Sequence, residues 1–147
     1  MKNINIIIIM FISSFITQYF IMPLIMVNNY KFITNNVAKV YIAIIVAILM
    51  ILFDTMMFDY HYNVFSFNLY AFTVAGLALF IYLYRNQIGV NDKQYLEEMI
   101  EQNSISLLIC EEILKKTDNY DIAKIAKNTC QNQIDQIRQM KELINKM

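Results

Sequence analysis

The stretch NINIIIIMFISSFITQYFIMPLIMVNNY, residues 3–30, contains no charged side chain. Apolar runs of about 18 residues or more are long enough to cross a hydrocarbon layer of roughly 30 Å as a helix, which satisfies its backbone internally. The run is therefore read as a membrane crossing over about residues 4–27. It opens after Lys2 in the manner of a secretory signal, but its apolar character continues through Phe20 and Met26, with no small-x-small cleavage pattern after a short apolar stretch. An uncleaved crossing is expected. Pro23 falls near its end, where a kink or a frayed turn accommodates the ring.

Two further runs follow. Val40–Phe53 is uncharged and extends to a crossing over about residues 38–58, and Tyr62–Tyr84 gives a third over about 64–84. The intervening Asp59–Asn63 is so short that the second and third crossings should form an antiparallel hairpin. Each carries small residues one turn apart, Ala43 with Ala47 and Ala71 with Ala75 and Ala78, a spacing that lets helix backbones approach closely. Tyr30, Tyr60, Tyr62, Tyr82 and Tyr84 lie near the expected membrane edges, where an amphipathic ring is comfortable. Residues 1–88 are thus expected to form a three-helix transmembrane region with the lipid bilayer as its partner. Lys31, Lys39, Arg85 and Lys93 fall on one side and Lys2 on the other, which by the positive-inside rule places the carboxyl-terminal tail in the cytoplasm.

The tail, residues 91–147, changes period. Gly89 is placed to end the third helix, and Asn91 with Gln94 forms the pattern of a capping box, opening a helix from Asp92 to about Lys116. Leu96, Met99, Ile100, Leu107, Cys110 and Leu114 recur at steps that define one face, with Glu97, Glu101, Glu112 and Lys115 opposite. Thr117, Asp118 and Asn119 make a turn and cap, and a second amphipathic helix runs to about Lys146 with Ile122, Ala126, Thr129, Gln133, Ile137, Met140 and Ile144 along its seam. The fold class is all-α: three transmembrane helices, then a two-helix antiparallel hairpin. Two helices shelter two apolar faces incompletely, so the open groove should be filled by a second hairpin, the membrane surface or another partner, with self-association favoured.

Composition excludes several functions. With 12 basic and 12 acidic residues, the chain has no basic excess to neutralise phosphates, so nucleic acid is not an expected partner. Its 2 cysteines, Cys110 and Cys130, lack the spacing of a zinc site and are read as small core residues. A nucleophile needs a positioned base, and 2 glycines cannot build a phosphate loop, so enzymatic activity is not expected.

One constellation in the second crossing has chemistry. Met50, Asp54, Met57 and His61 follow at steps of four, three and four, placing two thioethers, a carboxylate and the single imidazole along one helix face. Those donors suit copper or proton movement, and an ionisable group inside a crossing is a functional candidate by default. The ordinary reading is that Asp54 reaches water near the helix end and His61 lies in the link. Ser13, Ser14, Thr17, Gln18, Ser66 and Asn68 supply only neutral polar groups, which join helices by hydrogen bonds.

The tail resembles a bacterial family called domain of unknown function 305, through Asn91-Asp92, Tyr95-Leu96, Met99-Ile100, Ile125-Ala126 and Gln133 to Ile144. Arg85-Asn86-Gln87 stands where the membrane-bound branch of that family has an Arg-x-Gln joint. The resemblance implies a ferritin-like hairpin, half of a four-helix bundle, with copper or another soft metal held by histidine and methionine. Here the motif Met-Ile-Pro-His-His stands as Met99-Ile100-Glu101-Gln102-Asn103, and Gln133, Gln136 and Met140 mark the second helix. Amide oxygens at Gln102 and Asn103 are poor donors for a soft ion, so no cofactor is expected in the tail and copper remains the alternative. Asn103 and Gln133 both face the seam, where polar amides commonly bond to each other and fix register.

Overall fold

The computed structural model describes residues 4–147, and their regular structure is entirely helical. Three rods are long and apolar enough to cross a membrane: Ile4–Met26, Val37–Tyr62 and Phe67–Arg85. Their 23, 26 and 19 residues reach about 28–39 Å at about 1.5 Å per residue. Two compact units result, one built from the chain through Met22 with Val37–Gly89, the other from Pro23–Asn36 with Val90–Met147.

In the first unit, α1 spans Ile4–Ile16 and leads into a π-helical turn, Thr17–Ile21; α2, Met22–Met26, follows and belongs to the second unit from Pro23 onward. Proline has no N–H to offer the carbonyl four residues back, and its ring crowds that carbonyl. The widened turn immediately ahead of Pro23 relieves this clash, with the Met22 N–H donating to the Thr17 carbonyl. Thr17 Oγ1 donates to the Ser13 carbonyl at 2.8 Å, and Ser13 Oγ to the Met10 carbonyl at 3.1 Å. Both hydroxyls are thereby satisfied within their own helix, not by bonds to another.

Helix α3, Val37–Tyr62, is the centre of this unit, and α1 and α4, Phe67–Arg85, each pack against it. They leave an apolar cleft of about 500 Å³ lined by Phe11, Ile48, Phe72 and Gly76. The buried positions of α3, Ala43, Ala47, Ile48, Ile51, Thr55 and Asp59, recur at helical spacing along one face. The expected alanine seam is half present. Ala43 and Ala47 are fully buried, but Ala71, Ala75 and Ala78 are exposed, and α4 turns Thr73 and Gly76 inward instead. A Cβ added at Gly76 would meet Ile48 Cδ1 at 3.4 Å, so glycine supplies the close approach.

The second long helix runs past its sequence bounds, and the third starts later than expected. Helix α3 continues to Tyr62, taking Asp59 and His61 out of the expected link, and α4 begins at Phe67. A group inside α3 shortens that link: the Asp59 carboxylate accepts from the Ser66 N–H at 2.7 Å and from Ser66 Oγ at 2.8 Å. Tyr41 donates to the Ile88 carbonyl at 2.8 Å, tying the chain beyond α4 to α3. Gly89 has φ +78° but lies past the helix end, which comes at Arg85 with Gln87 in the left-handed region.

In the second unit, α5 spans Asp92–Leu114 and α6 spans Tyr120–Ile144. The capping box is formed as expected, the Asn91 side chain accepting from the Gln94 N–H at 2.9 Å and Gln94 Oε1 from the Asn91 N–H at 3.3 Å. Asn119 caps α6, its Oδ1 accepting from the N–H groups of Asp121 and Ile122. The two helices pack antiparallel around a core of Ile100, Leu107, Cys110, Ala126, Cys130 and Ile137.

Candidate functional site

The hairpin and the loop that docks on it are where this chain departs from a plain bundle of crossings. Cys110 and Cys130 are small core residues, as expected, but the sequence reading missed that they are paired. They are 4% and 8% exposed, and they are bonded to each other across the seam with 5.7 Å between Cα atoms. Nearer the start of α5, Asn103 Nδ2 donates to Gln136 Oε1 at 3.1 Å. Residue numbers in both pairs sum to almost the same value, which is the signature of an antiparallel register.

The expected pairing of seam amides is therefore present with a different partner. Gln133 sits one turn away from Gln136, and its Oε1 is buried with no hydrogen-bond partner among the described residues. Gln102, the other degenerate motif position, donates from Nε2 to Glu98 Oε1 at 3.1 Å within its own helix. Met99 and Met140 are half-buried, and Met140 packs against the tail core.

The groove left open by two helices is occupied in part by the chain itself, which sequence reading missed. Loop residues Val27 and Asn36 are 5% and 4% exposed, and Phe32, in the 3-10 turn Tyr30–Phe32, packs on the tail core. The Asn28 N–H donates to Ser104 Oγ at 3.0 Å. Thr34 donates to Glu101 Oε2 from its N–H at 2.8 Å and from Oγ1 at 3.1 Å. Lys141 Nζ lies 4.2 Å from the centre of the Phe32 ring. Glu101 was expected on the solvent side of α5, and here it is 8% exposed, because a carboxylate with an N–H and a hydroxyl to accept from can leave water. Nothing in a helical period announces such a partner; the signal was the polar, uncharged loop Thr34-Asn35-Asn36 opposite an acid at a seam-flanking position.

Beside it, Glu98 is 8% exposed. Burial pushes its carboxyl above the usual range, the Gln102 amide draws it part of the way back, and the neighbouring Glu101 pushes it up again. A raised folded-state value means that the folded protein holds this proton more tightly than the unfolded chain. Stability is then greatest below the ordinary glutamate range and falls as pH rises through the shifted value. Glu98→Gln should flatten that dependence and raise the melting temperature of the tail at neutral pH. Melting curves of both proteins between pH 4 and pH 8 check this, and equal slopes would refute it.

Toward the hairpin turn the surface is apolar. Ile109 and Ile125 are 64% and 66% exposed, and with Ile113 and Ile122 they border a hollow of about 370 Å³ whose remaining walls are Ser106, Cys110, Ala126 and Thr129. No charged side chain lines it.

The face proposed for soft-metal chemistry lies along α3. Met50, Met57 and His61 are exposed and Asp54 is half-buried, while their neighbours Ile51, Thr55 and Asp59 point toward the other crossings. His61 rests edge-on against Tyr62, ring centres 4.9 Å apart. Among the described residues no group of three or more histidine, cysteine, aspartate or glutamate side chains is placed to hold a metal ion.

These features define a class: an all-helical protein with three helices able to cross a membrane and a disulfide-bonded helical pair. The chain is similar to the uncharacterized protein L153 of Acanthamoeba polyphaga mimivirus, 23% identical over 143 residues that cover 97% of this chain and 93% of the other. No family model matches it, and no solved structure matches it.

Proposed function

We propose that this is a non-enzymatic multi-pass membrane protein whose helical tail pairs with the tail of a second copy. The exposed isoleucine surface around Ile109 and Ile125 carries this reading. Two identical uncharged patches can meet about a two-fold axis without like-charge repulsion, and two hairpins so joined make four helices around a shared core. Anchoring in one membrane raises the effective concentration of the copies. The docked loop covers a different part of the hairpin, so it leaves this surface available. The resemblance to a soft-metal family whose histidines are here Gln102 and Asn103 supports a scaffold that has kept its shape and lost its ligands.

Crosslinking of the full-length protein in membranes, across a range of expression levels, tests the proposal. The unchanged chain should give dimers, and Ile109→Glu with Ile125→Glu should reduce them tenfold or more, since burying each isoleucine is worth about 1.5–3 kcal/mol. A chain that stays monomeric at every level would overturn it.

The side of the membrane on which the tail lies is subject to two opposing signals. Lys31, Lys39, Arg85 and Lys93 against Lys2 favour the cytoplasm. The disulfide favours the other side.

A further inference from the structure

We infer that the disulfide prevails: the tail and the loop docked on it face an oxidising compartment, across the membrane from the cytosol, and Cys110–Cys130 is a permanent staple. The inference rests on the three crossings and is independent of tail pairing. Disulfides persist where the surroundings are oxidising and are rare where thiol reductants act. A bridge used as a switch has to be reached by an attacking thiolate, and exposed bridges are the labile ones. Here both sulfurs lie in the hairpin core with Ile100, Leu107, Ala126 and Ile137. Such burial fits a bond made once and kept.

The charge signal is the weaker of the two. Four basic residues against one give a bias in insertion, and such biases are overridden when other features of a chain oppose them.

Hydrogen bonds from Asn28 to Ser104 and from Thr34 to Glu101 oblige the first loop to share the side of the tail. That is what two intervening crossings, α3 and α4, require. The short link Asn63–Ser66 then faces the cytosol. In forming the bridge, the two thiols lose two protons and two electrons to a disulfide-bearing oxidant of the compartment. One Sγ–Sγ bond forms, and the oxidant's own disulfide is reduced to two thiols.

Two measurements on the full-length chain in eukaryotic cells test this. Lys115→Asn, at an exposed position beside the hairpin turn, completes an N-linked glycosylation acceptor with Lys116 and Thr117. The unchanged chain, in sealed microsomes, is treated with trypsin and separately denatured with a maleimide reagent before and after reduction. The expected results are a glycosidase-sensitive mass increase for the variant, and for the unchanged chain a tail protected until detergent is added and cysteines that react only after reduction. Trypsin cleavage of the tail in sealed vesicles, or two reactive thiols before reduction, would overturn the inference even if the variant itself failed to fold.

Discussion

Replacing Cys110 and Cys130 together by alanine should leave the three crossings in place and loosen the tail by about 3 kcal/mol, the loop-closure contribution expected for a bridge spanning 20 residues. The bridge closes the half of the hairpin that contains the turn. Amide hydrogen exchange in the full-length protein should therefore accelerate most between Leu107 and Cys130, by about a hundredfold. The segment around Asn103 and Gln136 should respond less, because its interhelical hydrogen bond and the docked loop remain. Unchanged exchange around the turn would show that packing alone holds the helices, and that the staple contributes nothing to the folded state.

Asp59→Ala should be the most damaging single change in the membrane unit. The carboxylate is 6% exposed and accepts two hydrogen bonds from Ser66, the residue that precedes α4. There it also meets the partial positive charge of the α4 amino terminus. Charge-assisted hydrogen bonds contribute about 1.5–3 kcal/mol each, so loss of both should cost about 3 kcal/mol or more. Asp59→Asn keeps one acceptor oxygen and should lose roughly half as much. Unfolding of the purified protein by increasing fractions of denaturing detergent measures the order: unchanged chain, then asparagine, then alanine. Coincident curves for the unchanged and alanine proteins would remove the role assigned to Asp59.

Whatever depends on one segment at a time could be read from the sequence. Uncharged apolar runs located the three helices long and apolar enough to cross a membrane, and the box at Asn91 and Gln94 with the cap at Asn119 placed both tail helices within a few residues of their ends. Contacts between distant segments were harder. Hydropathy put the end of the second crossing before Asp59, because a charge looks like an exit; the bond to Ser66 is what lets the helix continue past it. Ala71, Ala75 and Ala78 do fall a turn apart in α4, but nothing in the pattern told which of two faces would be turned away from α3. Periodicity set Glu101 in solvent because its partner, Thr34, lies 67 residues away. The disulfide left a trace that folding the tail about its turn would have revealed, for residues 110 and 130 then fall opposite each other as 103 and 136 do. Met50, Asp54, Met57 and His61 all lie on α3, where Met50, Met57 and His61 are exposed and Asp54 is half-buried.

The separation between the first loop and its partners also orders events during synthesis. Asn28 and Thr34 leave the ribosome long before Ser104 and Glu101, which lie 76 and 67 residues downstream. Until α5 has been made, Asn28 and Thr34 lack the partners they hold in the folded chain. Its docking is thus a late closing step in biogenesis, and a nascent chain stalled before α5 should present that loop to a protease admitted to the loop's side of the membrane.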